Sequence, residues 1–300
     1  MRNSRDNIKK ILIFFATYNE AENIEKIFHS TNENLPNQHL LVIDDNSPDG
    51  TGIILDRLSK NNERVNIIHR PKKMGLGTAH KLAMQYAIKN KFDILITMDA
   101  DFSHHPKYLP IILKNLEGND FVIGSRYVKG GGLGYGFLRS SLSITANFLT
   151  RNLLKIPLKE CTTSYRGFQV SLLKKLNLHS IRSDGYSFFI ECIFAIHNLT
   201  DRITEFPIFF YDRHSGKSKI SKIEIFKSVL CLGKLFSKRI FERKSLKGNF
   251  SYQLQFKNCP NCKSHFQSRL EYGVILGNKK QKENQIQVKF QCLQCNEMFK

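Results

Sequence analysis

The segment Ile94-Leu95-Ile96-Thr97-Met98-Asp99-Ala100-Asp101 combines a candidate strand and a candidate site within eight residues of this 300-residue chain. Residues 94–98 form a short, mostly apolar run, which is typical of a strand buried on both faces of a parallel sheet. Two carboxylates follow, two residues apart. If the extended backbone continues past Met98, both carboxylates point to the same side. The segment therefore predicts a buried strand that ends in a pair of acidic side chains.

Two earlier segments follow the same pattern. Ile11–Phe15 and Leu40–Ile43 are short and apolar, and the second is followed by the turn-forming residues 44–50. Helical patterns separate the strands, and this alternation is typical of βαβ units in a parallel sheet with helices on both faces. Further strands are predicted at 65–68, 121–124 and 203–211, and helices at 21–30, 53–60, 75–89, 140–154, 184–198 and 221–244. We therefore expect an α/β fold.

Polar clusters follow three of the predicted strands, at 17–20, 44–49 and 99–101. Ligands of open parallel sheets bind beyond the carboxyl ends of the strands, so these clusters predict a single site. Mg²⁺ and Mn²⁺ prefer oxygen ligands and commonly share them between one or two carboxylates and a diphosphate. Asp99 and Asp101 are therefore candidate ligands of a divalent metal ion.

Seven motifs along residues 8–245 occur in the same order as those of a known family. They are T-Y-N-E-A-E-N at 17–23, D-D-N-S-P-D-G-T at 44–51, G-L-G-T-A at 75–79, M-D-A-D-F-S-H-H-P at 98–106, G-S-R-Y at 124–127, G-Y-S-F at 185–188 and D-R-H-S-G-K-S-K at 212–219. Together they resemble the inverting family 2 glycosyltransferases, specifically the dolichyl-phosphate (polyprenyl-phosphate) mannosyltransferase branch. The resemblance implies a GT-A fold, a Rossmann-like mixed sheet flanked by helices. It also implies a sugar-nucleotide donor, typically GDP-mannose, and a polyprenyl monophosphate acceptor.

The resemblance also assigns residues to the donor. It implies that Thr17, Tyr18 and Glu20 line the nucleoside pocket and that Asp44 holds the base. The base itself stays open, since a UDP-glucose or UDP-N-acetylglucosamine donor would use the same fold.

For the metal, the resemblance implies that Asp99 and Asp101 engage the donor diphosphate and the ion. The family often has Gln where this chain has Ser103, whose hydroxyl could still coordinate the ion or hold a water molecule. Ser164 stands where the family usually has Gly, and this departure leaves the local backbone conformation open.

Positive charge is concentrated in the later part of the chain. The sequence has 46 Lys and Arg against 26 Asp and Glu, a net charge of +20, of which residues 121–300 contribute +19. Such an excess is typical of proteins that meet phosphates, nucleic acid or an anionic membrane. A drift toward lysine in an AT-rich genome is the alternative explanation.

An acceptor phosphate accounts for part of this charge. A phosphate monoester is largely dianionic at neutral pH, with a second pKa of about 6, so it can attack the anomeric carbon without a strong general base. The protein must instead bring two anions together and neutralise the departing diphosphate. Arg126, Arg139, Arg213 and Lys219 are the candidates for binding the acceptor phosphate, and Arg126 is also a candidate catalytic residue; Arg213 and Lys219 fall in a motif of the family.

The predicted helix at 221–244 carries Ile225, Val229, Leu232 and Phe236 on one side, and residues 216–248 have a net charge of +8. Such a helix could lie in a membrane interface among anionic head groups, or dock on the enzyme with its basic face in water. No apolar run approaches the roughly 18 residues of a spanning helix, and the first ten residues lack the apolar stretch of a signal peptide. We expect a cytoplasmic protein, attached peripherally to the inner face of the membrane.

The last 50 residues contain two C-x-x-C pairs, Cys259/Cys262 and Cys292/Cys295, separated by 29 residues. Four thiolates at this spacing suit tetrahedral Zn²⁺ in a zinc ribbon, and a tail of this size has too little core to fold alone. We therefore predict a structural zinc site. The other cysteines, Cys161, Cys192 and Cys231, are expected to be small buried apolar residues.

These patterns predict a GT-A domain at 1–215, a basic amphipathic segment at 216–248 and a zinc-ribbon-like domain at 249–300. The predicted activity is metal-dependent, inverting hexose transfer to a polyprenyl monophosphate. A function of a different class is a zinc-ribbon protein that binds nucleic acid or a partner and keeps a vestigial transferase domain. The tail lacks the aromatic and basic interleaving of RNA-binding surfaces and the acidic motifs are intact, so nucleic acid is the less favoured partner.

Overall fold

The computed structural model describes residues 9–60, 62–134, 136–211 and 222–248, together with 290–291 and 298–299. The chain divides into two compact units, Met1–Ile240 and Phe241–Lys300. The strands are β1 Ile11–Thr17, β2 His39–Asp44, β3 Val65–His69, β4 Ile94–Asp99, β5 Phe121–Ser125, β6 Gly132–Leu133, β7 Arg166–Gln169, β8 Ile203–Pro207, β9 Phe209–Phe210, β10 Phe290–Gln291 and β11 Met298–Phe299. The helices are α1 Ile24–Asn34, α2 Thr51–Lys60, α3 Leu76–Lys89, α4 Leu109–Leu116, α5 Phe137–Leu154, α6 Val170–Leu173, α7 Ser187–His197 and α8 Lys222–Gly248.

The first unit is built on a seven-stranded sheet in the order β3-β2-β1-β4-β7-β5-β8. Six strands are parallel, and β7 runs antiparallel to its neighbours β4 and β5. The sheet is therefore mixed, as the family resemblance implied. Neither β7 nor α4 was among the elements expected from the sequence.

Side chains alternate across the sheet, so each strand contributes to two cores. Leu12 and Phe14 of β1 point to one face, which α3 and α7 cover. Ile13 and Phe15 point to the other face, which α1, α2 and α4 cover. The predicted arrangement of helices on both faces is confirmed.

Helix α8 differs from the single apolar stripe expected from its sequence. Leu232 and Leu235 are buried against the core of the first unit, and Phe236 packs partly against it. Ile225 and Val229, which were expected on the same side, are 44% and 62% exposed. The apolar residues of α8 thus divide between a docked face and an exposed face.

Two of the three isolated cysteines are buried as expected. Cys161 and Cys192 are buried free thiols, and burial raises their pKa values to about 12 and about 11. Cys231 is only partly buried, because it lies on α8 at the margin of the core. The expectation of a small buried residue is therefore confirmed for Cys161 and Cys192 and met only in part by Cys231.

The zinc-ribbon prediction concerns the second unit, of which the structure describes the end of α8 and two short strands. β10 and β11 pair antiparallel, with Phe290 opposite Phe299. The four cysteines predicted to bind Zn²⁺ lie outside the described residues; they are Cys259, Cys262, Cys292 and Cys295. The zinc site therefore stays a prediction.

Among the described helices, none is long and apolar enough to cross a membrane.

Candidate active site

The sheet register brings three strand ends together. Thr17, the last residue of β1, lies opposite Asp44 at the end of β2. On the other side of β1, Ala16 lies opposite Asp99 at the end of β4. Because these strands are parallel, their polar ends share one edge of the sheet, as the sequence predicted.

Asp44 is held firmly at this edge. Its carboxylate accepts hydrogen bonds from Thr17 Oγ1 at 2.9 Å, from Ser47 Oγ at 2.6 Å and from the Ser47 amide at 3.0 Å. The residue is 2% exposed. Thr17 and Asp44, both assigned to the donor pocket, are therefore direct neighbours.

The loop after β1 carries the other two residues assigned to the nucleoside. The ammonium group of Lys73 lies 4.3 Å from the centre of the Tyr18 ring, within the range of a cation–π contact. Glu20 accepts a hydrogen bond from the Asn23 side chain at 3.0 Å. Between them Asn19 adopts a φ of +59°, so the chain turns sharply as it leaves the sheet.

A buried ion pair between Asp45 and Arg70 supports the same edge, and the sequence patterns did not single it out. Arg70 also donates to Thr78 Oγ1 at 2.6 Å and to the Gly75 carbonyl at 3.3 Å. It thereby fastens the start of α3 to the end of β2. The sequence did contain a signal for Arg70. It lies two residues after the predicted strand at 65–68, and residues just after a parallel strand lie at this edge of the sheet.

The two metal-ligand candidates differ in exposure. Asp101 is 3% exposed and accepts a hydrogen bond from the Ser103 amide at 3.1 Å. The Asp99 side chain is 32% exposed, and its Oδ1 accepts a hydrogen bond from Ser164 Oγ at 2.6 Å. Phe102 adopts a φ of +62°, so the acidic loop turns back directly after Asp101.

The Ser103 hydroxyl provides a test of whether this loop suits a metal ion. Its Oγ atom is buried and forms no hydrogen bond with any residue that the structure describes. A buried polar atom without a partner is costly unless a ligand or ordered water satisfies it. Two carboxylates and this hydroxyl form an oxygen-rich donor set that fits Mg²⁺ or Mn²⁺. In the described part of the chain there is no group of three or more His, Cys, Asp or Glu side chains that could hold a metal alone.

His104 lies behind the acidic loop and was not assigned a role from the sequence. Its Nδ1 accepts a hydrogen bond from the Asp99 amide at 3.1 Å, and its Nε2 lies 2.9 Å from Thr163 Oγ1. Burial lowers the pKa of His104, although the Asp99 carboxylate opposes this effect. Because Nδ1 accepts from a backbone amide, the ring proton of His104 lies on Nε2.

Arg126 forms an ion pair with a buried carboxylate, that of Glu160. Its Nε and Nη2 atoms donate to the two carboxylate oxygens of Glu160 at 2.7 and 2.9 Å, and Nη2 also donates to Thr162 Oγ1 at 2.9 Å. The side chain of Arg126 is 8% exposed and that of Glu160 is 0% exposed. This geometry identifies a structural ion pair, and the assignment of Arg126 to the acceptor phosphate stays a prediction.

The remaining phosphate candidates are Arg213 and Lys219, which lie outside the described residues, and Arg139, whose side chain does too. Their surroundings are described in part. The parallel pair β6–β9 is extended by a hydrogen bond from the Gly134 amide to the Phe210 carbonyl at 2.8 Å. The segments that lead toward Arg139 and Arg213 therefore start from one ladder.

Ser164, a departure from the family pattern, has a described conformation. It does not adopt a positive φ, so a side chain is accommodated without backbone strain. Its hydroxyl uses this position to reach Asp99.

The chain is similar in sequence to known glycosyltransferases. The sequence profile of "Glycosyl transferase family 2" matches residues 12–176. A polyprenol monophosphomannose synthase from Mycolicibacterium smegmatis is 38% identical over 216 residues, which are 71% of this chain and 82% of that protein. An undecaprenyl-phosphate mannosyltransferase from Micrococcus luteus is 35% identical over 213 residues, 71% of this chain and 88% of that protein.

Similarity to solved structures concerns the fold. A crystal structure of glucosyl-3-phosphoglycerate synthase from Mycobacterium tuberculosis, in complex with Mn²⁺, UDP and glucosyl-3-phosphoglycerate, superposes with a TM-score of 0.57. The two proteins are 18% identical, and the match covers 76% of this chain and 80% of the other. The mixed sheet flanked by helices is therefore an arrangement found in glycosyltransferases.

Proposed function

Since the chain belongs to glycosyl transferase family 2 and is thus a glycosyltransferase, we propose that it transfers mannose from GDP-mannose to a polyprenyl monophosphate. The transfer inverts the anomeric carbon and depends on Mg²⁺ or Mn²⁺. Two relatives named for mannose transfer to polyprenyl phosphates support the substrates, because each aligns over more than four fifths of its own length.

The observation that carries the proposal is the acidic loop after β4. Asp99 and Asp101 lie on the sheet edge that also holds Asp44, and the buried Ser103 hydroxyl beside them forms no hydrogen bond with a described residue. A nucleoside at the ends of β1 and β2 would direct its diphosphate toward the end of β4. The base, the diphosphate and the metal ion would then follow one another along the edge of the sheet, in the strand order β2, β1, β4.

Asp99, Asp101 and, directly or through water, Ser103 are the residues that would hold the ion. When bound, the ion neutralises the departing diphosphate. The other residues of the edge provide rigidity. The pair Asp45–Arg70 fixes the start of α3, and Thr17 fixes Asp44, so that the donor meets a surface whose polar groups are already oriented.

The acceptor phosphate requires positive charge on the opposite side of the sugar. Arg126, Arg139, Arg213 and Lys219 are the proposed ligands, and Arg side chains suit the task because a guanidinium binds two phosphate oxygens at once. Arg126 would bind the phosphate only in competition with Glu160, which accepts from its donors Nε and Nη2 and offsets its charge.

A lipid acceptor calls for contact with a membrane, which we propose that α5 and α8 provide. On α8, the exposed residues Phe226 and Val229 stand next to Lys227, and the helix touches the end of α5 through a hydrogen bond from Arg239 to the Leu153 carbonyl at 3.0 Å. Exposed apolar side chains beside lysines favour an interface between acyl chains and anionic head groups. The large exposed apolar residues of these two helices within the first unit are Leu142, Ile144, Phe148 and Leu149 on α5 and Ile223, Ile225, Phe226, Val229, Leu230 and Ile240 on α8.

The experiment that tests the function incubates the full chain with a panel of radiolabelled sugar nucleotides, polyprenyl phosphate and Mg²⁺ or Mn²⁺. We expect GDP-mannose to give a chloroform-extractable mannolipid, and EDTA to abolish it. A product only from UDP-glucose or UDP-N-acetylglucosamine would replace the proposed donor while keeping the reaction type. If no donor gives a labelled lipid while a purified mannosyltransferase does so in the same assay, the proposal is wrong.

A further inference from the structure

Four hydrogen bonds join the end of β4 to the segment that leads into β7. The Ser164 carbonyl accepts from Thr97 Oγ1 at 2.5 Å, and the Ser164 hydroxyl donates to Asp99 Oδ1 at 2.6 Å. His104 accepts from the Asp99 amide at 3.1 Å and, with its other nitrogen, donates to Thr163 Oγ1 at 2.9 Å. Because Thr163 and Ser164 are adjacent in the chain, these bonds close a ring.

The ring is shielded from water everywhere except at one carboxylate. Thr97 is fully buried, His104 is 1% exposed, and Thr163 and Ser164 are each 5% exposed. The Asp99 side chain is 32% exposed. Hydrogen bonds in such surroundings do not compete with water, so they hold their geometry well. The ring of hydrogen bonds is therefore a rigid frame that exposes one group to the site, the Asp99 carboxylate.

The frame restricts the motion of Asp99 in particular. A carboxylate at the end of a strand can otherwise rotate about two side-chain bonds, and a ligand that binds it must restrict this rotation. Here the Ser164 hydroxyl fixes Oδ1, while the His104 imidazole fixes the backbone of the same residue. Asp99 Oδ2 lies 3.3 Å from His104 Nδ1, but that nitrogen accepts from the Asp99 amide and donates nothing to the carboxylate. The lone pairs of Oδ2 are therefore left for a ligand.

We propose that Ser164 and His104 are positioning residues, which hold Asp99 in the orientation that the divalent ion and the donor diphosphate require. The proposal rests on the proposed function, since it concerns the same metal site. Ser164 acts on the carboxylate directly, whereas His104 acts through the backbone and through Thr163. Pre-orientation of this kind strengthens binding because less freedom is lost when the ion arrives.

The test measures Mn²⁺ binding to the full chain in the presence of GDP, by electron paramagnetic resonance, and therefore does not depend on turnover. We expect Ser164→Ala to raise the dissociation constant of Mn²⁺ about 10- to 100-fold, the usual effect of removing the hydrogen-bond partner of a metal ligand. Thr163→Val, which removes the partner of His104 without touching Asp99, should raise it by a smaller factor. Amide hydrogen exchange of a peptide spanning residues 97–105 should become faster in both variants.

Thr31→Val is the matched control, because it removes the hydroxyl of another buried residue, on α1, that lies outside the ring. It should leave the dissociation constant and the exchange of residues 97–105 unchanged. If Ser164→Ala binds Mn²⁺ as tightly as the wild type, the positioning role is wrong while the metal site stands. If the wild type takes up no Mn²⁺ with GDP, the metal site itself is wrong and the positioning role fails with it.

Discussion

The guanidinium of Arg126 and the carboxylate of Glu160 form a buried, two-pronged ion pair at 2.7 and 2.9 Å. Removing one partner of such a pair leaves an uncompensated charge in the protein interior. We expect Arg126→Ala to lower the free energy of unfolding by about 3–5 kcal/mol, measured by urea denaturation. Arg57→Ala, which breaks the exposed pair with Glu25, should cost less than about 1 kcal/mol. Equal losses in the two variants would contradict the structural role of Arg126.

The same pair predicts a pH dependence. Burial raises the pKa of Glu160, but the charge and hydrogen bonds of Arg126 lower it by a larger amount. The pKa of Glu160 therefore lies below its usual value of 4.5. The pair therefore stabilises the wild type above that value, and the contribution is lost as the pH falls through the lowered pKa. In Arg126→Ala the burial and the hydrogen bonds from Thr162 remain, but the opposing charge of Arg126 is lost, so Glu160 should take up a proton at a higher pH. The stability difference between the two proteins should thus shrink as the pH falls from 7 toward 4. A constant difference in urea titrations over this range would contradict the prediction.

Asp101→Ala removes the more deeply buried of the two candidate metal ligands. We expect it to abolish mannolipid formation and Mn²⁺ binding while the circular dichroism spectrum stays that of the wild type. Asp56→Asn serves as the control, since that carboxylate lies on α2 with 58% of its side chain exposed. Full activity of Asp101→Ala would rule out the assigned role.

The exposed apolar residues of α8 predict that this helix contributes to membrane binding. Phe226→Glu combined with Val229→Glu should reduce sedimentation with anionic liposomes at least tenfold, because it places two negative charges in the proposed interface. Binding of the wild type should also weaken with salt. Ile53→Glu alters a lone apolar residue of α2 that is 77% exposed, and it should bind liposomes like the wild type. Salt-independent binding, or equal loss in the control, would count against the interface.

The sequence of the tail predicts one equivalent of zinc in the purified full chain. Mass-spectrometric metal analysis should find it, and Cys259→Ser with Cys292→Ser should remove it, because Cys262 and Cys295 alone cannot complete four-coordination. The variant Cys161→Ser, which alters a buried thiol of the first unit, should retain the metal. Zinc-free wild-type protein would refute the predicted site.

Local patterns were sufficient to predict the strands that carry the site. The apolar runs of β1, β2 and β4 each end in polar residues, so the convergence of Thr17, Asp44 and Asp99 followed from the rule for parallel sheets. The candidate metal loop was recognisable because its carboxylates lie two residues apart in the sequence.

Partners that are distant in the sequence could not be predicted in this way. Glu160 is 34 residues from Arg126, and Ser164 is 65 residues from Asp99. Strand β7 was missed for a related reason, since it begins with Arg166, a charged residue that is 1% exposed. Its guanidinium donates to the backbone carbonyls of Thr163, Cys161 and Phe189, which compensate its burial only in the folded chain.

The reversed direction of β7 has a consequence for how the site could diverge among related enzymes. An antiparallel strand begins at the edge of the sheet where its neighbours end. Residues 160–165, which directly precede β7, therefore lie beside the acidic loop that follows β4. The sheet ladder starts only at Arg166, but the segment before it is already fixed to both neighbouring strands. The Ser164 carbonyl accepts from Thr97 of β4, the Tyr165 carbonyl accepts from the Gly124 amide of β5, and Glu160 pairs with Arg126 just beyond β5. A change in this segment would therefore reach the candidate metal loop and the buried ion pair together, so related enzymes could alter it only in concert with the ends of β4 and β5.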